Sequence, residues 1–196
     1  MACSKDPKET TEKQKLISAV ENNNLTEVLS LLGQGNSFDT RDDKAPYSTI
    51  LMMASYSDYL ELVCELVKKA DLNLTNRSGG TALTYAAWAG NHKIMQVLID
   101  NGADINKCDE LGFTALMYSS RDGHDQCVHI LLQYRCDLNI VDNKGRTAKS
   151  LALTGNHTNI VELLKKASAE DTLNKRENKG NILVSLLVPD CLLYRK

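Results

Sequence analysis

Aromatic residues, prolines and long apolar runs are all scarce in this sequence of 196 residues. Aromatics make up 5% of the chain, and there are three prolines. The longest apolar run near the C-terminus covers residues 182–188 and contains a serine, whereas a membrane span needs about 20 apolar residues. The first fifteen residues are polar and lack the apolar segment of a secretory signal. We therefore expect no membrane partner and a cytoplasmic and/or nuclear location.

An excess of charge of either sign is also absent. Lys and Arg total 23 against 25 Asp and Glu, which gives a net charge of −2 and a pI of about 6.1. Direct charge-driven binding of nucleic acid is typical of basic patches and a high pI, so we expect no such partner. None of the six cysteines forms a Cys-x-x-Cys pair, and their spacing fits no zinc site. The sequence thus predicts free thiols, no metal and no cofactor.

Three copies of a Gly-x-Thr-Ala motif are what the sequence does contain. Their threonines, Thr81, Thr114 and Thr147, follow one another at steps of 33 residues, and the same step joins Asp104 to Asp137. A repeat of this length indicates small units that stack on one another, because one unit cannot bury its apolar face alone.

Each unit has the pattern of two short helices. Thr81 can cap a first helix by accepting backbone N–H groups, and Gly90 can end that helix in the left-handed conformation. Thr114 and Gly123 repeat this arrangement one unit later. A second, amphipathic helix follows the glycine, and its apolar stripe consists of Ile94, Met95, Val97 and Leu98.

Residues 76–108 and 109–141 resemble ankyrin repeats, which have a 33-residue period and a Thr-Pro-Leu-His-x-Ala signature. Residues 142–170 resemble a C-terminal capping repeat of that family, because Lys149 stands where the other units have Leu83 and Leu116. The resemblance implies an all-α fold, an ankyrin-repeat solenoid of stacked helix pairs with protruding loops.

The repeats depart from the family signature at one position that concerns stability. The signature histidine is replaced by Thr84, Met117 and Ser150, and the signature proline by alanine. In the family that histidine ties neighbouring loops together by hydrogen bonds. The departure implies an array looser than an idealised one.

Two weaker units are expected upstream of these repeats. Residues 12–40 are predicted to be an N-terminal capping repeat, and residues 41–75 a degenerate repeat in which Thr49 aligns with Thr81. Residues 1–11 are predicted to be disordered. The C-terminal tail, residues 171–196, has three open interpretations: a short element that covers the apolar end of the stack, a docking peptide for a partner, or a fragment whose packing partner lies on another chain.

Candidate chemistry is sparse. His124, Cys127 and His129 lie close enough in sequence to suggest a metal site, but Cys127 aligns with the core position of Ile94, so structural roles are favoured. Cys108 is the candidate for a reactive thiol because it should be exposed at a loop tip. No phosphate-binding loop or catalytic motif is present, so we expect no catalytic residues and no enzyme.

A binding surface is expected on the loop tips and the exposed side of the first helices, which form the concave face of an ankyrin-like stack. Trp88 is the single tryptophan and aligns with Arg121 rather than with core residues, and binding hot spots are enriched in Trp, Tyr and Arg. The alternative for Trp88 is packing on Tyr56 or Arg121. The expected partner-binding residues are Arg77, Ser78, Trp88, Glu110, Leu111, Phe113, Arg121, Asp122, Asn143, Lys144 and Arg146.

The resemblance to ankyrin-repeat proteins implies protein–protein interaction, with another protein as the partner. Two alternatives stay open at this point. One is an inhibitory or regulatory subunit of an enzyme or transcription factor, and the other is a thiol-dependent enzyme. The sequence favours a monomer and leaves the oligomeric state open.

Overall fold

The fold is a succession of helix pairs joined by loops. The computed structural model describes residues 7–43 and 47–169, which form ten helices and, over those ranges, one isolated antiparallel bridge between Arg41 and Thr49. The all-α prediction is confirmed. The helices are α1 Pro7–Glu21, α2 Leu25–Gly33, α3 Ile50–Tyr56, α4 Leu60–Leu66, α5 Ala82–Ala89, α6 His92–Asp100, α7 Ala115–Asp122, α8 Asp125–Gln133, α9 Ala148–Thr154 and α10, which covers residues 158–169.

The N-terminal boundary differs from the expectation. Because α1 begins at Pro7, residues 7–11 are helical rather than disordered. Proline is favourable in the first turn of a helix, since the amide that it lacks has no partner there. Residues 1–6 and the apolar tail, 171–196, lie outside the described residues.

Threonine begins the first helix of the last four pairs. Thr49, Thr81, Thr114 and Thr147 each accept a hydrogen bond at the side-chain oxygen from the amide three residues later, at 3.2–3.3 Å. This confirms the caps predicted at Thr81 and Thr114 and shows the same cap at Thr49 and Thr147, each contributing about 1 kcal/mol. In place of the signature histidine, the Thr84 hydroxyl bonds the amide and carbonyl of Thr81 at 2.8 Å, so its contacts stay within its own helix start.

The helices form two layers around one core. The first helices, α1, α3, α5, α7 and α9, contact one another in sequence order, and α4, α6 and α8 do the same behind them. Along the predicted stripe Ile94, Met95 and Leu98 are fully buried, whereas Val97 is partly buried. Burial of each such side chain stabilises the fold by about 1.5–3 kcal/mol. The stack thus presents loops and one side of the first helices to solvent.

Side chains in the turn between the two helices of a pair bond the backbone of the preceding pair. The Nε2 atom of His124 lies 3.1 Å from the carbonyl oxygen of Trp88, and Nε2 of His157 lies 3.0 Å from that of Arg121. Asn91, at the same repeat position, donates to the carbonyls that end α3 at 2.9 and 3.0 Å. Because a carbonyl only accepts, both imidazoles donate from Nε2. These contacts support the structural role predicted for His124 and give His157 the same role.

A second row of hydrogen bonds links the long loops. The Oδ1 atom of Asn73 accepts from the amide of Asp104 at 2.7 Å, and Oδ1 of Asn106 accepts from the amide of Asp137 at 2.9 Å. In both cases a side chain of one unit holds the backbone of the next. The loops are therefore fixed relative to one another and to the helices beneath them.

Candidate functional site

Five aromatic side chains form a continuous row across three successive first helices and one loop. Ring centroids are 5.4 Å apart for Tyr56 and Trp88, 6.1 Å for Tyr85 and Trp88, 6.2 Å for Trp88 and Tyr118, and 5.1 Å for Tyr118 and Phe113. These separations are in the range of favourable aromatic pairs, about 4.5–7 Å. We call these five residues the aromatic row.

The repeat explains why the row is continuous. Tyr56 and Trp88 occupy the same position near the ends of α3 and α5, whereas Tyr85 and Tyr118 share an earlier position on α5 and α7. Residues three apart on a helix lie on the same side, so Tyr85 and Trp88 are neighbours on α5. Stacking of the units then brings the rings of adjacent helices into contact.

The loop before each of α5, α7 and α9 is closed by one polar side chain. Oδ1 of Asp109 accepts from the amides of Leu111 and Phe113 at 2.9 and 2.8 Å. Asn76 and Asp142 do the same one unit before and one unit after. Such side-chain acceptance mimics a backbone turn and fixes the loop tip. The tips are further joined through the backbone, since the amide of residue 110 donates to the carbonyl of residue 78 at 3.0 Å.

The closing side chains also hold the tyrosines of the aromatic row. The Tyr118 hydroxyl donates to Oδ2 of Asp109 at 2.6 Å, and Nδ2 of Asn76 donates to the Tyr85 hydroxyl at 2.8 Å. Burial and, next, the hydrogen bond to Asp109 raise the pKa of Tyr118 well above its ordinary value. The phenol therefore stays protonated and both rings are held in place by the loops.

A groove of about 420 Å³ lies between the aromatic row and the loop tips. Its walls are the rings of Tyr85, Trp88 and Tyr118 on one side and the loop residues on the other. The remaining lining residues are Asn76, Ser78, Gly80, Thr84, Asp109, Glu110 and Leu111. Its volume falls within the range of about 300–1,000 Å³ that is typical of ligand sites.

Arginines lie at the far end of the aromatic row. The guanidinium carbon of Arg121 is 5.0 Å from the Tyr118 ring centroid and 5.6 Å from the Phe113 ring centroid. The guanidinium carbon of Arg146 is also 5.6 Å from the Phe113 ring centroid. Arg121 also donates two hydrogen bonds of 2.7 Å to the Asp122 carboxylate. Asp142 pairs with Arg146 at 2.6 Å. The positive charges here are balanced by adjacent carboxylates.

Ten of the expected partner-binding residues reach solvent, eight as exposed and two as partly buried residues. Trp88 exposes 45% of its surface and Leu111 63%, while Arg121 and Arg146 are half-buried. Trp88 packs on Tyr56, as its alternative interpretation proposed, and on Tyr85 and Tyr118, yet nearly half of it remains open to solvent. The other exposed members are Arg77, Ser78, Glu110, Asp122, Asn143 and Lys144.

The expectation that Phe113 offers a contact surface is wrong. Its exposed fraction is 5%, because the turn closed by Asp109 directs Leu111 outward and turns the Phe113 ring inward against Tyr118. Phe113 is therefore the buried end of the aromatic row and offers no contact surface.

Sequence reasoning did not identify Tyr85, Tyr118 or Asp109 as site residues. The 33-residue step between the two tyrosines, each nine residues after a closing Asn76 or Asp109, is the signal that could have found them. A polar residue paired with a tyrosine at fixed spacing in two successive units indicates one repeated contact rather than two chance residues.

The cysteines and histidines do not form a reactive centre among residues 7–43 and 47–169. Burial raises the pKa of the fully buried Cys127 thiol to about 11. Cys108 is exposed as expected, but partial desolvation of its thiol and then the charges of Asp109 and Asp104 raise its pKa, opposite to the shift that activates a nucleophile. Within the same ranges no three His, Cys, Asp or Glu side chains are grouped to hold a metal ion. Cys3 and Cys191 lie outside them.

The helices of this part of the chain include none with the length and apolar character required to cross a membrane.

Comparison with protein families identifies a match that covers most of the chain. A family model described as ankyrin repeats (three copies) matches the chain twice, over residues 16–109 and 102–175. The matches overlap and together span residues 16–175, well over half of the sequence. A comparison with curated proteins finds no match.

Proposed function

The chain belongs to the ankyrin-repeat family, and we propose that it binds a partner protein through the aromatic row and the loop tips beside it. Ankyrin repeats are generally protein–protein interaction modules and are typically non-enzymatic. Because one fold serves many partners, the argument for this particular surface depends on its own residues.

The exposure of two members of the aromatic row, Trp88 and Tyr56, is the observation that carries the proposal. Trp88 and Tyr56 expose 45% and 47% of their surfaces although both pack against other rings. Aromatic rings give large contact areas with few rotatable bonds, and Trp and Tyr are enriched among the residues that dominate binding energy. Leu111, at 63%, adds an exposed apolar side chain on the facing loop tip.

The loop tips are preorganised for binding. The amide of Asn143 donates to the carbonyl of Leu111 at 3.0 Å, and its side chain donates to the carbonyl of Glu110 at 2.8 Å. Tips held in this way lose little conformational freedom on association, which leaves more of the contact energy for affinity. Polar tip residues such as Lys144 would then set specificity at the rim.

The proposal is tested by affinity capture with the wild-type chain, Trp88→Ala and a matched control, Tyr134→Ala. Tyr134 is also a part-exposed aromatic, at 39%, but lies at the end of α8, where its hydroxyl contacts Asp100 and Gln96. We expect one captured protein to be lost with Trp88→Ala and retained with Tyr134→Ala. The purified partner should then bind Trp88→Ala at least tenfold more weakly, the loss that is typical of a hot-spot residue.

Unfolding curves of both variants serve as the control for folding. A partner that is retained by Trp88→Ala at wild-type affinity, with both variants folded, would show that binding takes place elsewhere on the chain.

A further inference from the structure

The residues that line the groove carry charge of only one sign. Of the ten lining residues, Asp109 and Glu110 are acidic and none is basic. The nearby arginines are each paired with another carboxylate, Arg121 with Asp122 and Arg146 with Asp142, although Arg121 also attracts Asp109. A ligand that enters the groove therefore meets aromatic faces and two carboxylates, with no basic side chain in the lining.

The two carboxylates differ in what they can still accept. Both oxygens of Asp109 already accept hydrogen bonds, from the amides of Leu111 and Phe113 and from the Tyr118 hydroxyl. The Glu110 side chain is exposed and has no hydrogen-bond or ion-pair partner within the described ranges. Asp109 thus supplies negative potential, and Glu110 is the free acceptor.

The chain's own cations show what its aromatic rings attract. The charged groups of Lys69, Arg77, Arg121 and Arg146 lie over the rings of neighbouring aromatic residues at 3.4–5.6 Å. Three of these four are arginines. Among the described side chains of residues 11–43 and 47–169, no cation lies over Tyr85 or Trp88, whereas Arg121 lies over Tyr118, the third ring that lines the groove.

We propose that the groove binds an arginine side chain from an extended segment of the partner protein. The guanidinium would stack on the rings of Trp88 and Tyr85 and donate to the Glu110 carboxylate. Arginine suits this arrangement better than lysine, because its guanidinium is planar, stacks on aromatic faces and meets a carboxylate with two parallel N–H groups. The inference rests on the proposed function and names the chemistry of the partner at that same site.

Trp88 provides a direct reporter, since it is the single tryptophan of the chain. Its fluorescence is titrated with a short acetylated and amidated Gly/Ala peptide that has one central arginine. Matched peptides carry lysine, glutamate or citrulline, the neutral analogue of arginine, at the same place. Titration extends to about 10 mM, because contacts with one side chain give weak affinity. We expect a saturable response to the arginine peptide, about tenfold weaker binding of the citrulline peptide and none of the glutamate peptide.

Two variants locate the contact. Glu110→Gln keeps the size of the side chain and removes its charge. We expect this variant to bind the arginine peptide about three- to tenfold more weakly. Tyr85→Leu removes one ring face and should weaken binding of the arginine peptide by a similar factor. Glu61→Gln is the matched control, because Glu61 is exposed at the start of α4 and does not line the groove. It should leave the affinity unchanged.

Several results would overturn the proposal: no response to the arginine peptide, an equal response to the lysine or citrulline peptide, or equal effects of Glu110→Gln and Glu61→Gln. These results are separable from a failure of the proposed function. A captured partner could be lost with Trp88→Ala while the arginine peptide does not bind. That result would support the proposed binding surface and contradict only the proposal that it binds arginine.

Discussion

Nε2 of His157 lies 3.0 Å from the carbonyl oxygen of Arg121, so a side chain of the last described helix pair completes the end of α7. The carbonyls at a helix end have no partner within the helix and require one from elsewhere. The same geometry links His124 to Trp88. The backbone that carries two residues of the proposed binding surface is therefore anchored by the next unit along the chain.

Replacing His157 by alanine should lower the free energy of unfolding by about 1–2 kcal/mol, because a half-buried carbonyl loses its donor and the imidazole leaves a gap. His129→Ala is the control, since His129 is exposed on α8 and should change stability by less than about 0.5 kcal/mol. Urea unfolding followed by circular dichroism measures both. Equal effects of the two substitutions would contradict a bracing role for His157.

Gly123→Ala should be more destabilising than Gly102→Ala, although both glycines have positive φ, +81° and +95°. The left-handed conformation costs an alanine about 1–2 kcal/mol at either position. A Cβ at Gly123 would also lie 2.5 Å from Cε1 of His157, whereas at Gly102 it would meet nothing within 4 Å. Because the imidazole must also be displaced, Gly123→Ala should lower the free energy of unfolding by about 3 kcal/mol in all. Thermal unfolding of the two variants gives the comparison, and a similar loss for both would argue against the clash.

Tyr118→Phe should lower the free energy of unfolding by about 1.5–2 kcal/mol, because it removes a hydrogen bond to the Asp109 carboxylate. Tyr85→Phe, at the same repeat position, removes a bond to the neutral amide of Asn76 and should cost about 0.5–1 kcal/mol. Denaturant unfolding at neutral pH measures the pair. The reverse order would show that the charge of Asp109 contributes little.

The stability that Tyr118 contributes should depend on pH in the alkaline range. Burial, and then the bond to Asp109, raise the pKa of Tyr118 in the folded chain above its ordinary value of 10. Unfolding therefore releases a proton above pH 10, and the contribution of Tyr118 to stability, complete below that pH, declines as pH rises. The stability difference between wild type and Tyr118→Phe should shrink between pH 10 and 11, as measured by unfolding at each pH. A constant difference across this range would be inconsistent with the raised pKa.

Asp142 should tolerate asparagine better than alanine. Asn76 closes the equivalent loop with an amide oxygen, so Asp142→Asn keeps the two backbone bonds and loses only the pair with the part-exposed Arg146. We expect a loss below about 1 kcal/mol for asparagine and about 2–3 kcal/mol for alanine at neutral pH. Denaturant unfolding of both variants gives these values, and equal losses would contradict the loop-closing role.

Acid should remove the difference between wild type and Asp142→Asn. Burial acts to raise the pKa of Asp142, but hydrogen bonds from the Arg146 side chain and from the amides of Arg146 and Lys144 outweigh it and lower the pKa. The stability that the carboxylate provides is present above its ordinary value of 3.8 and is lost as pH falls through the lower folded value. Unfolding experiments below pH 3.8 should show the two proteins converging.

The repeat made most of the helical architecture predictable. Thr81, Gly90 and the Ile94 stripe each have a local physical role that recurs after 33 residues, so several independent signals agree at each element. Residues 7–11 precede the repeating part of the chain, so no recurring pattern indicated that they are helical. Their polar composition resembles that of a disordered end, yet they continue an amphipathic helix.

The binding surface was predictable only in part. Trp88 stood out because it is the single tryptophan and because the next two units hold the polar residues Arg121 and Thr154 at its position. Tyr85 and Tyr118 share their position with Leu151, which is 2% exposed, and the sequence does not separate a half-buried ring from a core side chain. The inward turn of Phe113 depends on hydrogen bonds from backbone amides to Asp109, and the repeat gives no warning because that position holds Gly80 and Arg146 in the neighbouring units.

Most of the side-chain hydrogen bonds between units end on backbone atoms. Asn73 and Asn106 accept from the amide of the next unit, and His124 and His157 donate to a carbonyl of the preceding one. Apart from the missing amide of proline, every residue offers these backbone groups whatever its side chain. These particular hydrogen bonds therefore need no matching substitution in the neighbouring unit, so they place little constraint on how the surface residues vary.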